Sequence, residues 1–399
     1  MQEQNNLKII SESHAMIPRE ISAKTLRFAK QYPVVTITGP RQSGKTTLCE
    51  MLFPEKARVS LENIDDRHFA QNDPKGFLNR FPDGAVIDEI QRVPELFSYI
   101  QTIVDKKRKE GFFILTGSQQ FELLQTISQS LAGRTVLVRL LPFTLAEAYG
   151  SKPEDISLDH VLYTGFYPRI FDKHLNAGEA MQFYVNTYVE RDLRLLINVK
   201  DPSKFEIFLK LCAGRIGQLL NLSSLGNDCG ANHTTIKNWI SVLEASYIIK
   251  LLRPYYKNFN KRLIKSPKLY FIDTGLAAFL LDISDESQMK THPLRGALFE
   301  NFVVSEFLKN RFNNGQTDNL FFFRDNTGNE VDLICDHGQK TDAVEVKSAQ
   351  TVALDFFKGL RFFSKLSKTV RRGMVIYGGE GSYIRENFQV TGWWDIGKA

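Results

Sequence analysis

Several things are scarce in this sequence, and each scarcity removes a class of protein. Four cysteines stand at 49, 212, 229 and 335. They are far apart and not in ligand spacing, which argues against a disulfide framework or a thiolate zinc site and for reduced thiols in a cytoplasmic protein. No apolar run approaches the length of about 20 residues that a membrane-spanning helix needs, so no membrane partner is expected. The opening Met1-Gln2-Glu3-Gln4-Asn5-Asn6 is polar and lacks the apolar segment of a secretory signal. There is no repeat at solenoid spacing and no low-complexity segment. Neither sign of charge dominates: 51 Lys and Arg against 45 Asp and Glu give +6. That balance permits a nucleic-acid partner without demanding one, and no long Lys/Arg cluster argues for it.

What is present begins with size. A chain of 399 residues exceeds what one hydrophobic core usually serves and suggests two or three domains. The most informative stretch is Gly39-Pro40-Arg41-Gln42-Ser43-Gly44-Lys45-Thr46, continued by Thr47, which fits G-x-x-x-x-G-K-[ST]. Gly39 and Gly44 allow a tight turn whose N–H groups point at phosphate oxygens. Lys45 brings a charge to the β and γ phosphates, and the Thr46 hydroxyl is placed to ligate Mg²⁺. The apolar Val34-Val35-Thr36-Ile37 precedes the loop and a helical pattern follows it, so phosphates would rest on a helix N-terminus.

A second apolar strand, Ala85-Val86-Ile87, ends in Asp88 and Glu89. Asp88 is the natural partner of the Mg²⁺ held by Thr46, and Glu89 is placed to polarise an attacking water. A third strand, Phe112 to Leu115, runs into Thr116-Gly117-Ser118-Gln119. One of Thr116, Ser118 and Gln119 is expected at the γ-phosphate or the lytic water, with Ser118 the chosen candidate. Arg134, in the Gly-Arg turn before the strand Val136–Leu141, is the candidate arginine finger, in cis or in trans. Arg169 is a second, weaker candidate. Together these residues imply ATP and Mg²⁺ as cofactors and ATP hydrolysis as the activity.

Residues 205–255 read as a winged helix: a first helix near Asn221–Gly226, a turn at Gly230, then a helix with Ile236, Trp239, Ile240 and Leu243 on one buried stripe. The opposite face, His233, Thr234, Thr235, Lys237, Asn238 and Ser241, is polar and could enter a DNA groove or form a lid. In the last hundred residues the pattern predicts helix, three strands, helix, strand. Glu300 falls on the first helix, Asp332 on the second strand, and Glu345 and Lys347 two apart on one face of the third. Two or three carboxylates and a lysine on one face suit a second divalent metal, held by Glu300, Asp332 and Glu345, with Lys347 as a catalytic residue.

This set, Asp332 with Glu345-Val346-Lys347, resembles the PD-(D/E)xK nuclease superfamily. The chain as a whole resembles a large prokaryotic family of AAA-type ATPases with a C-terminal domain of unknown function. The resemblance rests on GPRQSGKTT at 39–47, VIDEIQ at 86–91, ILTGSQQ at 114–120, SLAGR at 130–134, GFYPR at 165–169, YVERD at 188–192, KLYFIDTGL at 268–276, NEVDLI at 329–334 and EVK at 345–347. It implies an α/β chain in three parts. Residues 1–160 would be an AAA+ P-loop parallel-sheet core, 161–285 a helical and winged-helix middle, and 286–399 an αβββαβ restriction-endonuclease-like domain. Two functional readings stand: ATP-driven DNA processing, or a nucleotide-dependent switch whose rear domains bind a protein partner or a second copy of the chain.

Overall fold

The computed structural model describes residues 16–118, 131–153, 155–189, 201–255 and 265–398. Gln119, Gln120, Ser130 and Glu190-Arg191-Asp192, quoted above, lie outside these residues. The first sheet has five parallel strands: β1 (Val34–Thr38), β2 (Ala57–Ser60), β3 (Ala85–Asp88), β4 (Phe113–Gly117) and β5 (Thr135–Arg139), in the order β2-β3-β4-β1-β5. Every residue of β1 and β4 is buried. That is the signature of a parallel sheet covered on both faces, and it explains runs such as Val34-Val35-Thr36-Ile37 that do not alternate. One covering core gathers Leu61, Phe77, Phe97 and Ile100; the other gathers Ile21, Leu48, Cys49 and Leu140. The order places β4 between the phosphate-loop strand and the strand of the acid pair.

Behind this sheet, the helices Pro202–Ala213, Leu222–Cys229 and His233–Ala245 precede an antiparallel hairpin of β6 (Ile249–Pro254) and β7 (Lys268–Phe271). The expected turn is there: Gly230 takes φ +67° after the Leu222–Cys229 helix, and Asn232 caps the next helix through the N–H of Thr235. Ile236, Trp239, Ile240 and Leu243 are buried as the stripe predicts, with the Trp239 ring 5.2 Å from Phe205 and 5.1 Å from Phe208. His233, Thr234, Lys237, Asn238 and Ser241 are exposed.

The second sheet adds β8 (Leu320–Arg324), β9 (Glu330–Asp336), β10 (Thr341–Lys347), β11 (Val370–Tyr377), β12 (Ser382–Arg385) and β13 (Phe388–Gly392). Its order is β12-β13-β11-β10-β9-β8-β6-β7. The predicted helix–strand–strand–strand–helix–strand order is present, with helices at Arg295–Asn313 and Lys358–Leu366. Two departures stand out. A terminal hairpin, β12 and β13, extends the sheet, its strands too short to be read as such from sequence. The sheet also continues into β6, whose Arg253 and Pro254 pair in parallel with Phe321 and Phe322. The C-terminal layer therefore draws strands from both sides of residue 286, the expected boundary. One hydrophobic core runs from Leu141 to Ile396 through both regions. Asp273, which has no role in the predicted chemistry, caps the Thr274–Leu280 helix and accepts the N–H of Phe166 at 2.7 Å, tying the two helical layers together.

Candidate nucleotide site and C-terminal carboxylate cluster

Gly39 to Gly44 form the loop, and Lys45, Thr46 and Thr47 open the Lys45–Leu52 helix. Gly44 adopts φ +87°, a left-handed conformation that disfavours side chains. A Cβ on Gly39 would lie 2.0 Å from the Leu140 carbonyl oxygen, so no larger residue fits there. Lys45 is buried and donates from Nζ to the carbonyls of Gly39 (3.1 Å) and Pro40 (2.8 Å). Burial holds its pKa below the usual lysine range, with the nearby Glu89 and Asp88 working the other way. A buried ammonium resting on two carbonyls, with both acids near, is a group ready to be drawn to an anion.

The acid pair converges on the same point. Thr46 donates from Oγ1 to Asp88 Oδ2 at 3.3 Å, and Thr116 donates to the other oxygen of Asp88. The pairing of a hydroxyl with a carboxylate is the donor set that Mg²⁺ takes in such loops, and the residues present fit a Mg²⁺–nucleotide. Glu89 is 8% exposed and sits at φ 53°, ψ 46°, an uncommon conformation for a glutamate. Its Oε2 accepts from Ser118 Oγ at 3.0 Å and from Gln91 Nε2, and its N–H reaches Thr116 Oγ1 at 3.4 Å. So β4, lying between β1 and β3, and the residue just after it supply two of the three hydroxyls that hold the acids: Thr116 and Ser118, with Thr46 the third. Ser118 is one of three residues the sequence offered; Thr116 is the one that touches Asp88.

A cavity of about 810 Å³ opens above the loop, lined among others by Arg19, Arg41, Asp88, Glu89 and Arg169. Arg41 lies over the Tyr188 ring at 5.3 Å and 3.7 Å from Glu62. Arg169, on the short helix Pro168–Asp172, reaches this cavity from the helical layer. Arg134 does not. It precedes β5, whose Thr135 pairs with Val34 at the start of β1, whereas the loop follows the end of β1. Five strand residues, about 16 Å, separate the two edges. Arg134 instead pairs with Asp105 at 2.6 Å on the exposed edge. The finger reading within one chain is therefore corrected: Arg134 faces away from its own phosphate loop.

Arg19 and Gln91 escaped the sequence reading. Arg19 donates from Nη1 to the Ser43 carbonyl (2.8 Å), from Nη2 to Leu141 O (2.7 Å) and from Nε to Glu147 Oε1 (3.1 Å). Nothing local in Ile17-Pro18-Arg19 announces this, because the partners lie 24 to 128 positions away. Gln91, two residues after Glu89 in the quoted VIDEIQ, carried a usable signal of proximity.

In the C-terminal layer the predicted residues do come together, though not as a set of metal ligands. Lys347 Nζ lies 2.7 Å from Glu345 and 3.6 Å from Asp332, and Asp332 Oδ2 accepts the N–H of Val346 at 2.8 Å. Glu345 Oε2 is buried without a hydrogen-bond partner, and burial together with Asp332 pushes the Glu345 carboxyl up to about 8. Glu300 departs from expectation. It is drawn to Lys268 (3.1 Å) and to the Tyr270 hydroxyl, while Lys268 also pairs with Glu330 at 2.5 Å. Two lysines thus satisfy charge that a metal was expected to satisfy. Among the described residues no group of three or more His, Cys, Asp or Glu is arranged to hold a metal ion.

Comparison with known proteins divides the chain in three. Residues 31–149 match the family described as AAA domain, and residues 156–287 and 295–396 each match a domain of unknown function. Two relatives, each called an uncharacterized protein, come from Mycobacterium tuberculosis and Mycobacterium bovis. Both are 29% identical over 368 residues, covering 91% of this chain and 80% of the relative. Among solved structures, a Walker-type ATPase of Pyrococcus abyssi is 15% identical with a TM-score of 0.45, covering 67% of this chain and 96% of that one. DnaA of Aquifex aeolicus bound to AMPPCP is 15% identical with a TM-score of 0.29, covering 56% and 86%. Both likenesses are too partial to fix a shared fold. The AAA-domain match falls on the same residues that carry the phosphate loop and the acid pair, so residues 31–149 are similar to an AAA-type ATPase domain.

Proposed function

We propose that the chain is a Mg²⁺-dependent ATPase whose hydrolysis is coupled to DNA binding or processing by its rear layers. The observation that carries the ATPase part is the convergence of Lys45, Thr46, Asp88 and Glu89 from two separate segments onto one cavity. Mg²⁺, when bound with nucleotide, neutralises charge developing on the phosphates. Lys45 is placed to leave the Gly39 and Pro40 carbonyls for the β and γ phosphates. Thr46 and Asp88 are placed to hold the ion, with Thr116 fixing the Asp88 carboxylate. Glu89 orients and deprotonates the attacking water, and Ser118 and Gln91 fix where its carboxylate points. Lys45→Ala should abolish nucleotide binding or turnover. Glu89→Gln should bind ATP normally and not hydrolyse it, and equal turnover in that variant would remove Glu89 from this role.

The DNA part rests on the three helices and the β6–β7 hairpin, a winged-helix order, whose His233–Ser241 face is exposed. Lys237→Glu should weaken DNA binding at low salt. The ion-paired carboxylates favour a second reading of the C-terminal layer, as a nuclease-like fold that binds without cutting. A divalent ion at Asp332 and Glu345 would have to displace Lys347. Mn²⁺ titration of the whole chain separates the two: uptake lost in Asp332→Ala supports a metal-dependent nuclease, and no uptake with DNA present supports the binding module.

A further inference from the structure

A second cavity, about 350 Å³, lies where the Thr144–Gly150 segment behind the ATPase sheet meets the C-terminal layer. Arg311, on the Arg295–Asn313 helix, lines it and is only 8% exposed. Its Nε donates to the Thr317 carbonyl at 2.8 Å, and among the described residues it makes no ion pair. An enclosed guanidinium is most stable when an anion meets it, and here a carbonyl meets it but no carboxylate is paired with it.

The neighbouring wall repeats the excess. Asp342 receives Arg371 through two hydrogen bonds, Arg372 at 3.3 Å and His337 Nε2 at 3.2 Å, so one carboxylate serves two guanidinium groups and an imidazole. The Nε of Arg372 is buried with no acceptor. Of the other acids on the walls, Glu306 pairs with Lys309 at 2.8 Å, while Glu20 accepts the neutral amide of Asn313 at 2.9 Å and keeps its charge. The remaining ionisable group is the Cys335 thiol, which burial pushes up to about 12, so it brings no charge at neutral pH. The Trp394 ring also lines the cavity, with the Tyr149 ring centroid 6.2 Å from it.

We propose that this cavity is a binding site for a nucleoside monophosphate, separate from the phosphate loop. Guanidinium forks match phosphate oxygens two at a time. The indole ring gives a base a flat apolar wall. The volume lies in the range of small-ligand pockets and is too small for a nucleic-acid duplex. The site is also joined to the phosphate loop. Leu145 N–H donates to Glu306 at 2.9 Å, Thr144 N–H to Glu147 at 2.9 Å, and Glu147 holds Arg19, which holds the Ser43 carbonyl.

The test uses the full chain carrying Lys45→Ala, so that the phosphate loop does not compete. Isothermal titration is run with AMP, GMP and CMP, with adenosine, and with inorganic phosphate. At least one monophosphate should bind one to one, more tightly than phosphate, with adenosine silent. Arg311→Met keeps the apolar stem and removes the charge; it should weaken that binding on the order of tenfold or more. Should Arg311→Met fail to fold, Arg372→Gln, nearer the surface, should show the same loss with an unchanged circular-dichroism melt. Three outcomes overturn the proposal: no monophosphate binds, phosphate binds as tightly as the nucleotides, or binding survives both arginine substitutions in folded protein.

Discussion

Arg19→Met should loosen the phosphate loop from a distance. The native guanidinium is almost wholly enclosed, with 5% of its side chain exposed against 2% for Glu147. It holds three acceptors and lies over the Phe143 ring at 4.8 Å. Methionine keeps the stem but gives none of these bonds. Removing one partner of a buried ion pair costs about 3–5 kcal/mol, because the other charge is left behind in a dry place. Glu147 keeps the N–H groups of Glu20 (2.7 Å) and Thr144 (2.9 Å), so the lower end, about 3 kcal/mol, applies. Urea unfolding followed by circular dichroism reads this directly. Adding Glu147→Gln should then cost much less than it does alone, with a coupling of about 1–3 kcal/mol. The Ser43 carbonyl also loses its tether, so a fluorescent ATP analogue should bind about tenfold more weakly, equivalent to about 1.4 kcal/mol. Additive stability losses in the double variant, or unchanged nucleotide affinity, would refute the coupling between Arg19 and the loop.

Arg134→Ala should leave nucleotide affinity intact. If it lowers kcat, the loss should depend on protein concentration, because Arg134 can reach only a neighbouring chain's phosphates; a concentration-independent loss would contradict the placement at the far edge. Tyr247→Phe removes the buried hydroxyl that meets Thr38 Oγ1 at 2.8 Å, one residue before Gly39; it should cost about 1–2 kcal/mol in urea unfolding, and no change would show that the bond carries nothing. Burial pushes the Cys49 thiol up to about 12, above its unfolded value, so its thiolate is scarce until the pH approaches that value. Iodoacetamide at pH 8 should label Cys49 only after denaturation, and rapid labelling of native protein, read by mass spectrometry, would contradict that.

What the sequence showed and what it hid divide along a physical line. The loop, the acid pair and the strands that carry them are local: a glycine turn or an apolar run of four can be read where it stands. So can the Ile236–Leu243 stripe, because helical spacing is local too. Arg19, Tyr247 and the Lys268–Glu300–Glu330 pairing were invisible, since each depends on residues brought together by the whole chain. Arg134 misled for the same reason: its turn looks right, and only the direction of β1 shows which edge it occupies. Glu300 was placed on its helix correctly, yet nothing in the local pattern revealed the buried lysine beside it.

The strand β6 has a consequence for anyone who would take the molecule apart. It pairs with β7 on one side and with β8 on the other, so the hairpin after the three helices and the C-terminal strands are cloth from one loom. A fragment starting near residue 286 would leave the β8 edge bare where Arg253 and Pro254 had covered it, with Phe321 at that edge. Bare edges recruit other strands. Such a fragment should clump with its own copies, and a cut moved back to residue 141, where the long shared core begins, would sever the Arg19–Glu147 and Thr38–Tyr247 contacts instead.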